Sequence, residues 1–106
     1  MKKSNISLMK KGWFVGNFEP SVMKTNDFEV GVKYYLKGEK EEAHVHRIAS
    51  EITVVISGKV KMCGMLLGSG DIVVLDPGDK TSFEAIEDSV TVVVKSPSVL
   101  GDKYLI

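Results

Sequence analysis

Two histidines and one glutamate are the residues of this chain best placed to do chemistry. His44 and His46 are its only histidines. They lie two apart on a segment predicted to be a strand, so both imidazoles face the same side. Glu51 opens the next predicted strand, after the turn from Arg47 to Ser50. It reaches the same point if the two strands run side by side. Two imidazoles and a carboxylate can hold iron(II) and leave positions open for substrate or oxygen. The same three groups, without metal, can bind an organic ligand and move its protons. Taken alone, a His-x-His pair equally fits two hydrogen-bonded histidines on an edge strand.

The elements that must position these residues read as strands throughout. Trp13 to Phe18 is predicted to be a strand, ended by Pro20 and Ser21. In Phe28 to Leu36, Phe28, Val30 and Val32 alternate with Glu29, Gly31 and Lys33. Lys37-Gly38-Glu39 is a turn, followed by a short strand from Ala43 to His46. Ile52 to Ile56 is apolar on both faces, as in a strand covered on both sides. Lys59 to Met62 and Met65 to Leu67 form a predicted hairpin around Cys63-Gly64. Ile72 to Leu75, Thr81 to Ala85 and Val90 to Lys95 complete the set. Asp76-Pro77-Gly78-Asp79 makes a strong turn. The tail from Gly101 to Ile106 is expected to add an edge contact. Many short strands with Gly and Pro turns at close intervals indicate an all-β sandwich or barrel.

The spacing around the histidines is more specific than the strands. Gly38, five residues, His44, one residue, His46, four residues, Glu51, six residues, Gly58 resembles the first motif of the cupin superfamily at every position. The second motif is partly present. Gly70 is followed by five residues, then by Asp76 where the family usually has proline, then by Pro77 and Gly78. Thr81 stands where the family expects a histidine. The resemblance runs from about Gly38 to Ala85. It implies a cupin-type double-stranded β-helix, or jelly-roll barrel, with residues 1–106 as a single domain.

Similar cupins commonly hold a metal with three histidines and one glutamate. The matching positions here give His44, His46 and Glu51 as metal ligands. Thr81 replaces the third histidine, and its hydroxyl is a poor ligand for a divalent transition ion. The resemblance therefore implies one of two states. In one, a divalent iron, manganese, nickel or zinc ion sits on three ligands. In the other, the metal is lost and the polar groups serve an organic ligand, as in the metal-free cupin-like sugar-nucleotide epimerases.

Side-chain parity extends the candidate pocket. Thr53 shares a face with Glu51, and Phe83 shares one with Thr81, so Thr53, Thr81 and Phe83 are candidate ligand contacts. Glu84 points away. One of Tyr34 and Tyr35 turns its hydroxyl toward the cavity. Trp13 and Phe14 read as core or subunit contacts, and Cys63 as an incidental turn cysteine with no base beside it. The opposite row, Ile52, Val54 and Ile56, needs cover from the N-terminal strands or a second subunit, and a homodimer is expected.

Bulk properties exclude several function classes. Lysine plus arginine and aspartate plus glutamate both number 14, for zero formal net charge, so nothing favours nucleic acid or an anionic membrane as a partner. One cysteine permits no intrachain disulfide and fits a reducing compartment. The charged start is not followed by an apolar core like that of a signal peptide. No apolar run is long enough for a membrane helix, and a soluble cytoplasmic protein is expected. The function expected is binding of a small polar molecule, with sugars and nucleotide sugars as the candidates, with or without a metal. The alternatives are a metal-dependent oxygenase, a metal-free isomerase or epimerase, and a non-catalytic sensor or accessory subunit.

Overall fold

A computed structural model describes residues 1–106. Eleven strands follow a 3-10 turn over Ile6–Leu8: β1 Trp13–Gly16, β2 Met23–Lys24, β3 Glu29–Tyr35, β4 Lys40–Val45, β5 Ser50–Ser57, β6 Lys59–Met62, β7 Met65–Gly68, β8 Ile72–Leu75, β9 Lys80–Ala85, β10 Ser89–Ser96 and β11 Tyr104–Leu105. They form two sheets. One has six strands in the order β2-β1-β3-β10-β5-β8, and the other five in the order β11-β4-β9-β6-β7. The tail contributes the expected edge contact, with Tyr104 opposite Val45 and Leu105 opposite His44.

The two sheets face each other, and alternation along each strand sends one set of side chains between them. At one end, Val55, Val60, Met62, Val73, Leu75, Phe83 and Ala85 form the apolar core. Toward the other end the same rows turn polar. On β5, Val55 gives way to Thr53 and Glu51; on β9, Ala85 gives way to Phe83 and Thr81, all of them buried. Inward positions thus divide into a packed half that stabilises the barrel and a polar half that forms a cavity.

The turns are fixed by local chemistry. Gly58 adopts φ +87°, and a Cβ there would collide with the Asp88 carbonyl and the Ser89 hydroxyl, so only glycine fits. Ser89 Oγ accepts from the Lys59 amide at 3.1 Å and donates to the Glu87 carbonyl at 2.8 Å, closing that corner. In the Asp76–Asp79 turn, the Gly78 amide donates to the His46 carbonyl at 2.7 Å. The remnant of the second motif therefore holds the backbone of the first.

Two expectations need correction. β4 and β5 do not run side by side: they lie in different sheets, so Glu51 faces the histidines across the barrel. The N-terminal strands do not cover the row Ile52, Val54, Ile56, because β1, β2 and β3 extend the same sheet edgewise. Ile52 stays 39% and Ile56 50% exposed, beside Ile72 and Val74 at 62% and 60%.

Candidate functional site

The pocket opens at the polar end of the barrel, and a bulge in β4 decides what enters it. Glu41 pairs with Phe83 and His44 with Thr81, so Glu42 and Ala43 together oppose the single residue Ser82. The extra residue shifts the alternation by one. Glu41 and His44, three apart, therefore both line the cavity. Plain alternation would have sent Glu41 outward.

Around the floor stand His44, Glu51, Thr53, Thr81, Phe83, Tyr35 and Thr91. His44 Nδ1 lies 2.8 Å from the Glu42 carbonyl. A carbonyl only accepts, so Nδ1 carries the proton and Nε2 of the neutral ring is left as an acceptor. Thr53 donates its hydroxyl to Glu51 Oε2 at 3.2 Å. Burial pushes the Glu51 carboxyl up, with Glu41 adding to the effect, while Lys95 and the Thr53 bond pull against it. Tyr35 faces inward and donates to Glu41 Oε1 at 3.1 Å, whereas Tyr34 is 65% exposed. Burial, then the adjacent Glu41 charge, hold the Tyr35 phenol protonated well above its ordinary range. Its ring meets Phe83 at 4.3 Å between centroids. Thr81 accepts from the Cys63 thiol at 3.4 Å, so Cys63 backs the pocket wall. Thr91 Oγ1 is buried with no partner. An acceptor imidazole, a carboxyl with a raised pKa and a tyrosine–carboxylate pair can bind hydroxyl groups and exchange protons with them.

The mouth is lined by Trp13 and the lysines Lys11, Lys33, Lys95 and Lys103. None of these follows from the motif. The Trp13 indole lies against Gly31, where a Cβ would come within 2.8 Å of the ring. Lys33 Nζ and Lys95 Nζ each lie 5.2 Å from the centre of that ring, within cation–π range. Trp13, expected as a core or subunit contact, thus lines the pocket. Strand register places two of the lysines: Lys33 pairs with inward Thr91 on β10, and Lys95 with inward Glu51 on β5.

His46 is buried, as is His44, and the rings are 5.2 Å apart and nearly perpendicular. His46, however, lies past the end of β4 and opens into an adjoining recess with Phe18, Ala49, Val99 and Asp102. Its Nε2 is buried without a partner. Burial, then the positive charge of Lys95, lower its pKa to about 4. Asp102 fixes the loop that follows. Its carboxylate accepts from the amides of Arg47 at 2.9 Å, Ile48 at 3.1 Å and Ala49 at 2.9 Å. Burial would raise the Asp102 pKa, but the three amide bonds outweigh it and hold the carboxyl below its usual range. Arg47 stacks over Tyr104 at 3.9 Å, so the C-terminal segment straps this side of the site.

Comparison with known proteins agrees with the geometry. A conserved protein with a double-stranded β-helix domain from Klebsiella pneumoniae is 30% identical, matching 79% of this chain and 78% of its own, with a TM-score of 0.69. The chain belongs to the cupin superfamily. An RmlC-like cupin from Shewanella frigidimarina is 20% identical over 74% of this chain and 72% of its own, with a TM-score of 0.66. A bacterial pirin from Escherichia coli, solved in complex with nickel(II), is 22% identical over 83% of this chain and 39% of its own, with a TM-score of 0.67. At these lower identities the likeness shows the fold alone. No family model matches the chain, and no curated protein matches it.

The fit of this cupin's residues to a divalent metal divides by criterion. The donor types fit: His46 Nε2 is an unpartnered buried nitrogen, and His44 has the carbonyl contact on its other nitrogen that orients ligating histidines. The arrangement does not: no three His, Cys, Asp or Glu side chains gather at ligand spacing. His46 lines the adjoining recess and not the cavity that holds His44 and Glu51, and Thr81 offers only a hydroxyl.

Proposed function

We propose that this cupin binds a small polar metabolite in the barrel, using its own side chains as the recognition groups. The observation that carries this reading is the polar cavity itself. It encloses about 250 Å³, below the roughly 300–1,000 Å³ typical of drug-sized sites. His44 Nε2, Glu51, Glu41 and Thr91 Oγ1 supply acceptors or unpartnered polar atoms at its floor and walls. That volume suits a ligand of monosaccharide size or smaller, and a whole nucleotide sugar exceeds it. Within the earlier sugar-related expectation, this favours a single sugar or hydroxy acid.

The test is a thermal-shift screen of sugars, sugar acids and small hydroxy acids on chelator-treated protein. A saturable rise in Tm that is lost in His44→Ala and in Glu51→Gln supports the reading. A screen in which no compound shifts Tm, or in which both variants respond as the wild type does, removes it.

A second reading adds one divalent metal at His44, His46 and Glu51. The unpartnered His46 Nε2 favours it, as does the nickel-bound pirin among proteins of this fold. It requires His44, His46 and Glu51 to draw together to ligand spacing, which they do not have here. Metal analysis of untagged protein purified without chelator tests it. About one equivalent per chain, lost in His46→Ala, supports it, and a wild type that can be neither isolated with metal nor reloaded ends it.

A further inference from the structure

The rim of the pocket has a chemistry that the floor does not explain. Four lysines line the cavity against two glutamates, Glu41 and Glu51, in a chain whose lysine-plus-arginine and aspartate-plus-glutamate totals are equal. Surface lysines normally point into water and are screened there. Lys33 and Lys95 are only partly exposed, and they converge on the same indole. Neither has a carboxylate within ion-pair distance, since the molecule's one salt bridge joins Lys24 and Glu19 on the surface. Lys33 Nζ instead donates to the Lys11 carbonyl at 2.6 Å. Burial, together with the charges of Lys11, Lys95 and Lys103, lowers the Lys33 pKa, with Glu41 acting in the opposite direction. Like charges gathered in a concave, partly dehydrated place repel one another, and a protein designed only for stability would disperse them.

We propose that this rim is an anion subsite: the ligand of the pocket carries a carboxylate or phosphate group, which sits among Lys33, Lys95 and Lys103 beside Trp13. This rests on the reading of the cavity as a metabolite site and narrows it. The charged group occupies the lysine end, and the ligand's hydroxyl groups reach the floor at His44 and Glu51. Two ammonium groups flanking one indole supply charge-assisted hydrogen bonds to an oxyanion, and the ring supplies an apolar wall for the carbon chain. Trp13 is the chain's single tryptophan, so tryptophan fluorescence reads the surroundings of this subsite.

Matched pairs of probes differing only in charge provide the test: glucuronate against glucose, glycerate against glycerol, and glucose 6-phosphate against glucose. Affinity is read by Trp13 fluorescence and calorimetry on chelator-treated protein. The proposal expects at least one anionic member to bind about tenfold or more tightly than its neutral partner, a difference of about 1.4 kcal/mol. The double variant Lys33→Met, Lys95→Met should remove that preference, lowering the anionic partner's affinity about tenfold or more relative to the neutral partner's. Lys61→Met, on the outer face, should change neither. Because the cluster is repulsive when empty, the double variant should also melt no lower than the wild type without ligand, which separates lost binding from lost folding. Equal binding of charged and neutral partners refutes the anion subsite and leaves the pocket reading standing. Absence of binding by every probe refutes both.

Discussion

Removing the Asp102 carboxylate should be among the most costly single changes in this chain, because one side chain there holds three consecutive amides. In Asp102→Ala the amides of Arg47, Ile48 and Ala49 lose acceptors now 2.9, 3.1 and 2.9 Å away. Ala49 is buried, so its amide is left unsatisfied, at about 1–3 kcal/mol. The other two residues are exposed, and water replaces the carboxylate at about 0.5–1.5 kcal/mol each. Together the loss comes to about 2–6 kcal/mol, a large share of the roughly 5–15 kcal/mol that stabilises a typical domain. Urea denaturation with the slope held common to both proteins measures it directly. Asp102→Asn keeps one carbonyl acceptor and should lose about half as much. The pH dependence has a defined sign: the folded pKa lies below the unfolded value, so the contribution is full above about pH 4 and disappears as pH falls through the folded pKa. Asp102→Asn should lack that acid limb. A cost below about 1 kcal/mol for Asp102→Ala, or an acid limb that persists in Asp102→Asn, would refute the strap argument.

Other consequences follow from burial. His46 has a folded pKa of about 4 against about 6.5 unfolded. Its neutral form is favoured by the fold, so metal-free protein should lose stability as pH drops from about 6.5 toward 4. His46→Gln should abolish that part of the pH profile, and an identical profile in both proteins would contradict it. Glu51 has its pKa raised by burial, so ionising it opposes folding, and Glu51→Gln should raise Tm at pH 8 while removing ligand binding. A lower Tm would show the carboxylate to be structural. The uncovered apolar row of Ile52, Ile56, Ile72 and Val74 predicts a dimer through that face in sedimentation equilibrium, converted to monomer by Ile52→Lys with Ile72→Lys. A monomeric wild type would overturn this.

The fold was largely legible because the signals that carry it are local. Strand alternation, the turn chemistry at Gly58 and Gly78, and the spacing from Gly38 to Gly58 all point to one architecture. The floor of the pocket was legible for the same reason: Glu51, Thr53, Thr81 and Phe83 lie on regular strands where parity holds. Glu41 escaped because the bulge at Glu42 and Ala43 reverses parity, and no residue type there announces it. The lysines escaped for a different reason. On β3 an apolar row, Val30 and Val32, alternates with Gly31, Lys33 and Tyr35, and the usual rule sends the apolar row inside. Here the polar row faces the cavity, because its partner positions on β10 are the inward Thr91 and Val93, and the apolar row lies half-buried on the outer face, where Val32 shares a groove with Ile6 and Met9. Asp102 and Trp13 act through contacts distant in sequence, which no local pattern reveals. His46 stands beside His44, as the motif spacing places it, but lies past the end of β4 and lines the adjoining recess.

The central claim, that the polar end of the barrel is a ligand site, is tested most directly by chemical-shift mapping. Isotope-labelled, chelator-treated protein is titrated with the tightest-binding probe of the screen. The account predicts the largest amide shifts at Thr53, Thr81, Phe83 and Thr91, with the His44 imidazole nitrogens moving at the same concentrations. Shifts confined to the outer face at Ile52, Val54 and Ile72, with the His44 ring unmoved, would contradict it.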